Sequence, residues 1–192
     1  MPITLNGSGT VSGISAGGLP DGIIQSADLA TGVGGKILQV VSTTKTDAFT
    51  STSTSYADVT GLSATITPTS SSNKIYVMVH VNSSADTRYC HFRLLRGSTN
   101  IAVGTDITGS QDAVSFTAGS NSSNSYDDFV LRNQSIAILD SPSTTSATTY
   151  KIQGKISYST GNFYINRTVY TDTTSSYVAR AASTITLYEV AA

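Results

Sequence analysis

The sequence predicts an all-β protein: an antiparallel β-sandwich of the jelly-roll kind, with about ten strands, behind a Gly-rich extended N-terminal arm. Three observations predict it. Helix formers are scarce, with Glu189 the single glutamate of 192 residues, while Ser and Thr supply about three residues in ten, well above ordinary usage. Short runs of alternating apolar and polar residues recur along the last two thirds of the chain, separated by turn clusters. The ten Tyr and five Phe begin only at Phe49 and there is no Trp, so the core lies after that point.

Residues 1–35 hold nine of the sixteen glycines and no aromatic residue, and form the arm; residues 36–192 form the head domain. Ile3, Leu5, Val11, Ile14, Leu19, Ile23, Ile24 and Leu29 are isolated in the arm by Gly and Ser. Ordering a backbone costs about 1–2 kcal/mol per residue, and so few apolar side chains do not offset that alone. The arm therefore needs further copies of the chain, or a larger assembly, to supply the missing surface. Within it "QSADLAT" predicts a short helix, with Ser26 as N-cap and Gly32 as stop.

In the head, "LSATITP" puts Leu62, Ala64 and Ile66 on one face, and "KIYVMVHV" puts Ile75, Val77, Val79 and Val81 on one face with Tyr76, Met78 and His80 on the other. The second of these strands is predicted to be covered on both faces. Further strands are expected in "RYCHFRLLR", "TNIAVG", "DAVSF", "YDDFVL", "SIAILD", "ATTYKIQGKISY", "FYINRTVY" and "STITLYEV". Between them lie "SSSN", "RGSTN", "GSNSSNS", "DSPSTT" and "STGN", rich in residues that accept turn geometry.

Net charge is −1 and 12% of residues are charged. Arg88, Arg93 and Arg96 are the one close basic grouping, which argues against nucleic acid as a partner. Cys90 is the single cysteine, so no intrachain disulfide is available. No basic leader followed by an apolar run, and no stretch of membrane-spanning length, is present. A soluble chain made in a cytoplasm is expected.

Chemical motifs are sparse. "GISAGGLPDG" lacks the Lys and Ser/Thr of a phosphate loop. His80, Cys90 and His91 are soft ligands without metal-site spacing, and packing or interface roles are expected for them. Asp127 and Asp128 are adjacent, so on a strand they point to opposite faces and make no acid/base pair. Asp86, Asp106, Asp112, Asp140 and Asp172 stand in turn-like contexts that suit backbone capping. The N-x-S/T matches at Asn6, Asn82, Asn121, Asn133 and Asn166 follow from composition. No enzyme, cofactor or metal is expected.

The pattern "ITLNGSGTVSGISAGGLPDGIIQSADLATG", then "GKILQVVSTTKTD", "ATITPTSSSNKIYV", "RLLRGSTNIAVG", "LDSPSTTSATTYKIQGK" and "STITLYEV", resembles tail-fibre and other virion surface proteins of tailed bacteriophages, over nearly the whole chain. The head also resembles complement C1q-like and tumour-necrosis-factor-like trimeric jelly rolls. The resemblance implies a homotrimer on the virion surface, assembled in the bacterial host cytoplasm, with the arm attached to the particle or intertwined with its copies. Tyr76, Met78 and His80 are then candidates for the trimer axis, where protonation would gather three like charges at His80. The chain departs from long fibres in having no internal repeat from which to build a shaft.

The loop segments 83–89, 108–128 and 159–177 are polar and Tyr-bearing, and loops on a rigid sandwich are where binding usually resides. Tyr126, Phe163, Tyr164, Tyr170 and Tyr177 are the receptor-binding candidates, for a host glycan or protein. Two functions fit: a short fibre or fibre tip that binds the host cell surface, and a capsid decoration (cement) trimer that stabilises the phage head. A polysaccharide depolymerase is the disfavoured third.

Overall fold

The computed structural model describes residues 36–86, 89–119, 128–157 and 161–192, with the backbone of two short strands ahead of them. Those two, β1 (Thr4–Leu5) and β2 (Val11–Ser12), pair antiparallel within a first compact unit, Met1–Lys36. The other arm positions, including the helix expected from Ser26 to Gly32, lie outside the described residues.

The second unit, Ile37–Ala192, is all-β. Its strands are β3 (Ile37–Lys45), β4 (Phe49–Ser51), β5 (Ala57–Ile66), β6 (Lys74–Ala85), β7 (Tyr89–Arg96), β8 (Thr99–Ile101), β9 (Phe116–Gly119), β10 (Arg132–Asp140), β11 (Thr148–Ile156), β12 (Phe163–Ile165) and β13 (Ser183–Val190). They form two antiparallel sheets. The first runs β3-β13-β6-β10, with β12 and β4 continuing it where β13 ends; the second runs β5-β11-β7, with β8 and β9 side by side on the far edge of β7. Successive long strands mostly alternate between the sheets, which gives the crossed connections of a jelly roll.

The two inner faces fill the core. β6 contributes Ile75, Val77, Val79 and Val81, and β13 contributes Ile185 and Leu187; opposite them stand Leu62, Ala64 and Ile66 of β5, Phe92 and Leu94 of β7, and Tyr150, Ile152 and Ile156 of β11. Period-2 alternation is the reason: each strand turns every second side chain inward. In β5 the alternation slips between Val59 and Leu62, where Gly61 has φ +82° and the register against β11 shifts. Glycine takes that backbone conformation without strain, so it is where the bulge forms.

Gly154 of β11 serves a different end. A Cβ there would lie 2.9 Å from both Phe163 Cζ and Phe92 Cε1, rings that meet edge to face at 5.6 Å. Gly154→Ala is expected to cost about 1–3 kcal/mol by overpacking, read as a lowered urea midpoint with unchanged m.

Several sequence expectations change. β6 is covered on one face only: Met78 is 44% exposed and Tyr76 and His80 are partly open. "DAVSF" and "YDDFVL" are not strands among the described residues; Phe116 alone of the first joins β9, and Asp128 and Phe129 form a short helical turn. "FYINRTVY" is a strand only to Ile165, because Asn166 turns the chain aside at φ 62°. β3 and β4 were not among the expected strands.

Candidate functional site

Two surfaces of the sandwich stand out, and both contain residues singled out by sequence. The first is the outer face of the first sheet. Tyr76, Met78 and His80 of β6 do share it, flanked by Thr184, Thr186 and Tyr188 of β13 and by Asn133, Ser135, Ala137 and Leu139 of β10. Beyond β13, Leu38, Val40, Ser42 and Thr44 of β3 extend the same face. Val40 is 54% and Leu139 53% exposed. A shallow groove of about 360 Å³ runs over Met78, His80, Ser135, Ala137, Thr186 and Tyr188.

Contacts on this face are short-range and mostly uncharged. Tyr76 and Tyr188 pack with ring centroids 6.1 Å apart, Ser42 and Thr186 share a hydroxyl hydrogen bond of 2.8 Å, and Asn133 Nδ2 meets His80 Nε2. Lys74 marks its margin at the start of β6. The outer face of the second sheet is different in kind. There Lys151 pairs with Asp58 at 2.8 Å, Lys155 with Asp112 at 2.7 Å and His91 with Asp112 at 3.0 Å, and the Arg93 guanidinium lies 3.6 Å over the Tyr56 ring. That face solvates itself with charge; the first sheet's does not.

The second surface is at one end of the sandwich. Phe129 holds Tyr170 at 5.2 Å and Tyr177 at 5.5 Å, both edge to face. Tyr170 is 48% and Tyr177 67% exposed. Three backbone bonds position them: Tyr170 N–H to Asp128 O at 3.1 Å, Thr168 N–H to Ala179 O at 3.3 Å and Ala181 N–H to Asn166 O at 3.1 Å. Asp172 closes the turn between the two tyrosines by accepting from Thr174 N–H, Thr174 Oγ1 and Ser175 Oγ. Those donors hold its carboxyl below the usual range.

Phe163 and Tyr164, the other two aromatics of that expected loop, are corrected by the structure. They are buried in β12, Phe163 in the core between Phe49 and Phe92, and Tyr164 beneath the Arg167 guanidinium at 4.4 Å. Burial, reinforced by Asp86 at 3.0 Å, pushes the Tyr164 hydroxyl up to about 12. Tyr126 lies outside the described residues. Ser83, Ser84 and Ala85, expected to open another loop, are buried in β6. Phe129 is the member that sequence reasoning placed in a strand.

The soft ligands do not converge. Cys90 points into the core, and burial pushes its thiol up to about 12, while His91 and His80 stand on the outer faces of different sheets. β6 and β7 do not pair, so the two histidines are kept apart. No group of three His, Cys, Asp or Glu placed to hold a metal occurs among the described residues. Asp86 and Asp172 do cap backbone, but Asp112 and Asp140 are ion-pair partners, Asp140 taking Arg96 Nη1 on both oxygens at 2.8 Å and the Tyr150 hydroxyl at 2.6 Å.

Glu189 is the unforeseen feature. It is fully buried at the other end of the sandwich, where Gln39 Nε2, Thr69 N–H, Thr69 Oγ1 and Asn73 Nδ2 all donate to it at 2.6–2.7 Å. Burial alone would raise its pKa, yet the donors Asn73, Gln39 and Thr69 hold it at about 2. This is the end at which the chain enters β3 at Ile37 and leaves β13 at Val190.

Compared with protein-family models and with curated proteins, the chain matches none.

Proposed function

We propose that this protein is a structural component of a tailed-bacteriophage virion, a homotrimeric short fibre or fibre tip on the virion surface. Its jelly-roll head meets the host cell, and its N-terminal arm attaches to the particle. The observation that carries the reading is the outer face of the first sheet. Exposed large apolar side chains at Leu38, Val40, Met78 and Leu139 share one sheet face whose centre bears no fixed charge among the described residues. Large apolar side chains gathered on one exposed face mark interaction surfaces. Four strands about 4.8 Å apart and nine residues long at about 3.3 Å each present roughly 500 Å² of sheet, the order of the ~800 Å² per partner in a standard interface. Copies of one chain suit such a face, since its centre carries no carboxylate, lysine or arginine among the described residues and Lys74 stands only at its margin. The polarity of the head agrees: chain entry and exit lie at one end, the exposed aromatics at the other.

Light scattering on the full-length protein is expected to give a three-chain mass. Met78→Asp, which sets a charge at the centre of the face, is expected to give single chains with an unchanged far-UV spectrum. A three-chain mass that survives Met78→Asp removes this face from the assembly, and a single-chain wild type removes the assembly itself.

The absence of a shaft-building repeat favours a second reading, a decoration trimer on the capsid. Binding of the purified protein to empty capsids, with raised heat resistance of those capsids, selects decoration; binding to host cells selects the fibre.

A further inference from the structure

Tyr170 and Tyr177 are the unusual exposed residues of the head. A tyrosine with 67% of its surface in water gains little from packing, yet Tyr177 is not loosely attached: Phe129 buttresses it and Tyr170 together, from a separate segment of the chain. The turn between them is braced by Asp172 and its three donors, and the backbone on either side is tied to Asp128 and Ala179. Rings fixed before a ligand arrives lose little conformational entropy on binding, the property that enriches Tyr, Ser and Asn in antibody combining loops.

The surroundings specify the ligand. Tyr170 is half-exposed and Tyr177 more so, and no described residue hydrogen-bonds to either hydroxyl, a group that can both donate and accept. Thr171, Thr173 and Ser176 are exposed around them and add a rim of hydroxyls. The Asp172 carboxylate is consumed by its own turn, and Arg167 donates to Thr168 O and Val169 O. Those two charges are engaged within the protein, while the exposed Arg180, bridged through its backbone to Arg167, stands at the margin. An open aromatic surface bordered by hydroxyls fits a ring that is apolar on its face and polar around its edge.

We propose that Phe129, Tyr170 and Tyr177 form a saccharide-binding shelf, on which a pyranose ring of a bacterial surface polysaccharide stacks. Tyr177 is the principal stacking face, Tyr170 the second, and Phe129 the positioning residue that holds both. The inference rests on the reading of this head as host-facing and adds the chemical class of what it meets.

The test is an array of bacterial lipopolysaccharides and capsular polysaccharides probed with the full-length protein, with mass and thermal midpoint recorded for every variant. The wild type is expected to bind a subset of the polysaccharides. Tyr177→Ala is expected to weaken that binding at least tenfold, and Tyr177→Phe, which keeps the ring, to stay within about threefold, all with unchanged mass and midpoint. The proposal is overturned if no polysaccharide is bound, if Tyr177→Ala and Tyr170→Ala leave binding intact, or if Tyr177→Ala breaks the assembly, which makes the shelf a subunit contact. A three-chain protein that binds no polysaccharide sinks the shelf and leaves the assembly standing. A single-chain protein that binds through Tyr177 does the reverse.

Discussion

Glu189→Ala lowers the stability of the head by an expected 3–5 kcal/mol, because removing one buried acceptor strands the donors of Gln39, Thr69 and Asn73 together. Glu189→Gln preserves the shape but turns an NH₂ group toward donors, and is expected to lose a large part of the same amount. Urea titration at neutral pH measures both. The pH dependence follows from the direction of the shift. A carboxyl held at about 2 in the fold, against 4.5 in the unfolded chain, contributes stability that is fully present above pH 4.5 and drains away as pH falls toward 2. Wild type should therefore lose stability across that window more steeply than Glu189→Gln. Parallel curves would mean that the carboxylate is not the group being titrated.

Asn166→Ala is expected to be nearly as costly, about 3–4 kcal/mol. Its Nδ2 donates to Lys45 O at 2.7 Å and Asp47 O at 3.1 Å, its Oδ1 accepts from Ser183 Oγ at 2.6 Å, and its backbone sits at φ 62°. The side chain thus joins the β3–β4 corner to the start of β13 while the backbone takes a conformation that Asn tolerates and Ala does not. Asn166→Gly separates the two contributions: it restores the backbone freedom, so it should recover about 1 kcal/mol and leave the hydrogen-bond loss. Equal midpoints for the two variants would remove the backbone contribution from the account.

What was legible in the sequence was the part controlled by near neighbours. "KIYVMVHV" and "STITLYEV" alternate cleanly, and both are strands, the first with Ile75, Val77, Val79 and Val81 together on its inner face. β3 hides its alternation, because Leu38 and Val40 on its outer face are as apolar as Val41 on its inner one. That concealment arises from the same surface that carries the proposed assembly, so the local pattern failed where the face departs from ordinary solvation. Phe163 and Tyr164 stood both in an expected strand, "FYINRTVY", and in the polar loop segment 159–177; the strand is what forms, and nothing local reveals that Gly154 and Phe92 close over Phe163 from the other sheet. Tyr170 and Tyr177 were singled out by their polar, Tyr-bearing segment and are exposed, whereas Phe129 needed the chain to return from 40 residues away. Glu189 was visible only as the lone glutamate. Its partners lie 116 to 150 residues distant, and no window of sequence contains them.

The placement of the head's first and last strands has a mechanical meaning. β3 enters beside the Glu189 cluster, runs the length of the sandwich toward the aromatic end, and is paired along that length with β13. A pull on residue 37 against a load held at the far loops acts parallel to β3. Its ladder to β13 is then strained in shear, all rungs together, rather than peeled open one rung after another. Gln39, gripped by Glu189 and by Thr67 O, sits at the first point to feel that pull. Rupture under force is set by the unfolding barrier and not by equilibrium stability alone. The same head should therefore resist tension applied through its first strand far better than tension applied across its sheets.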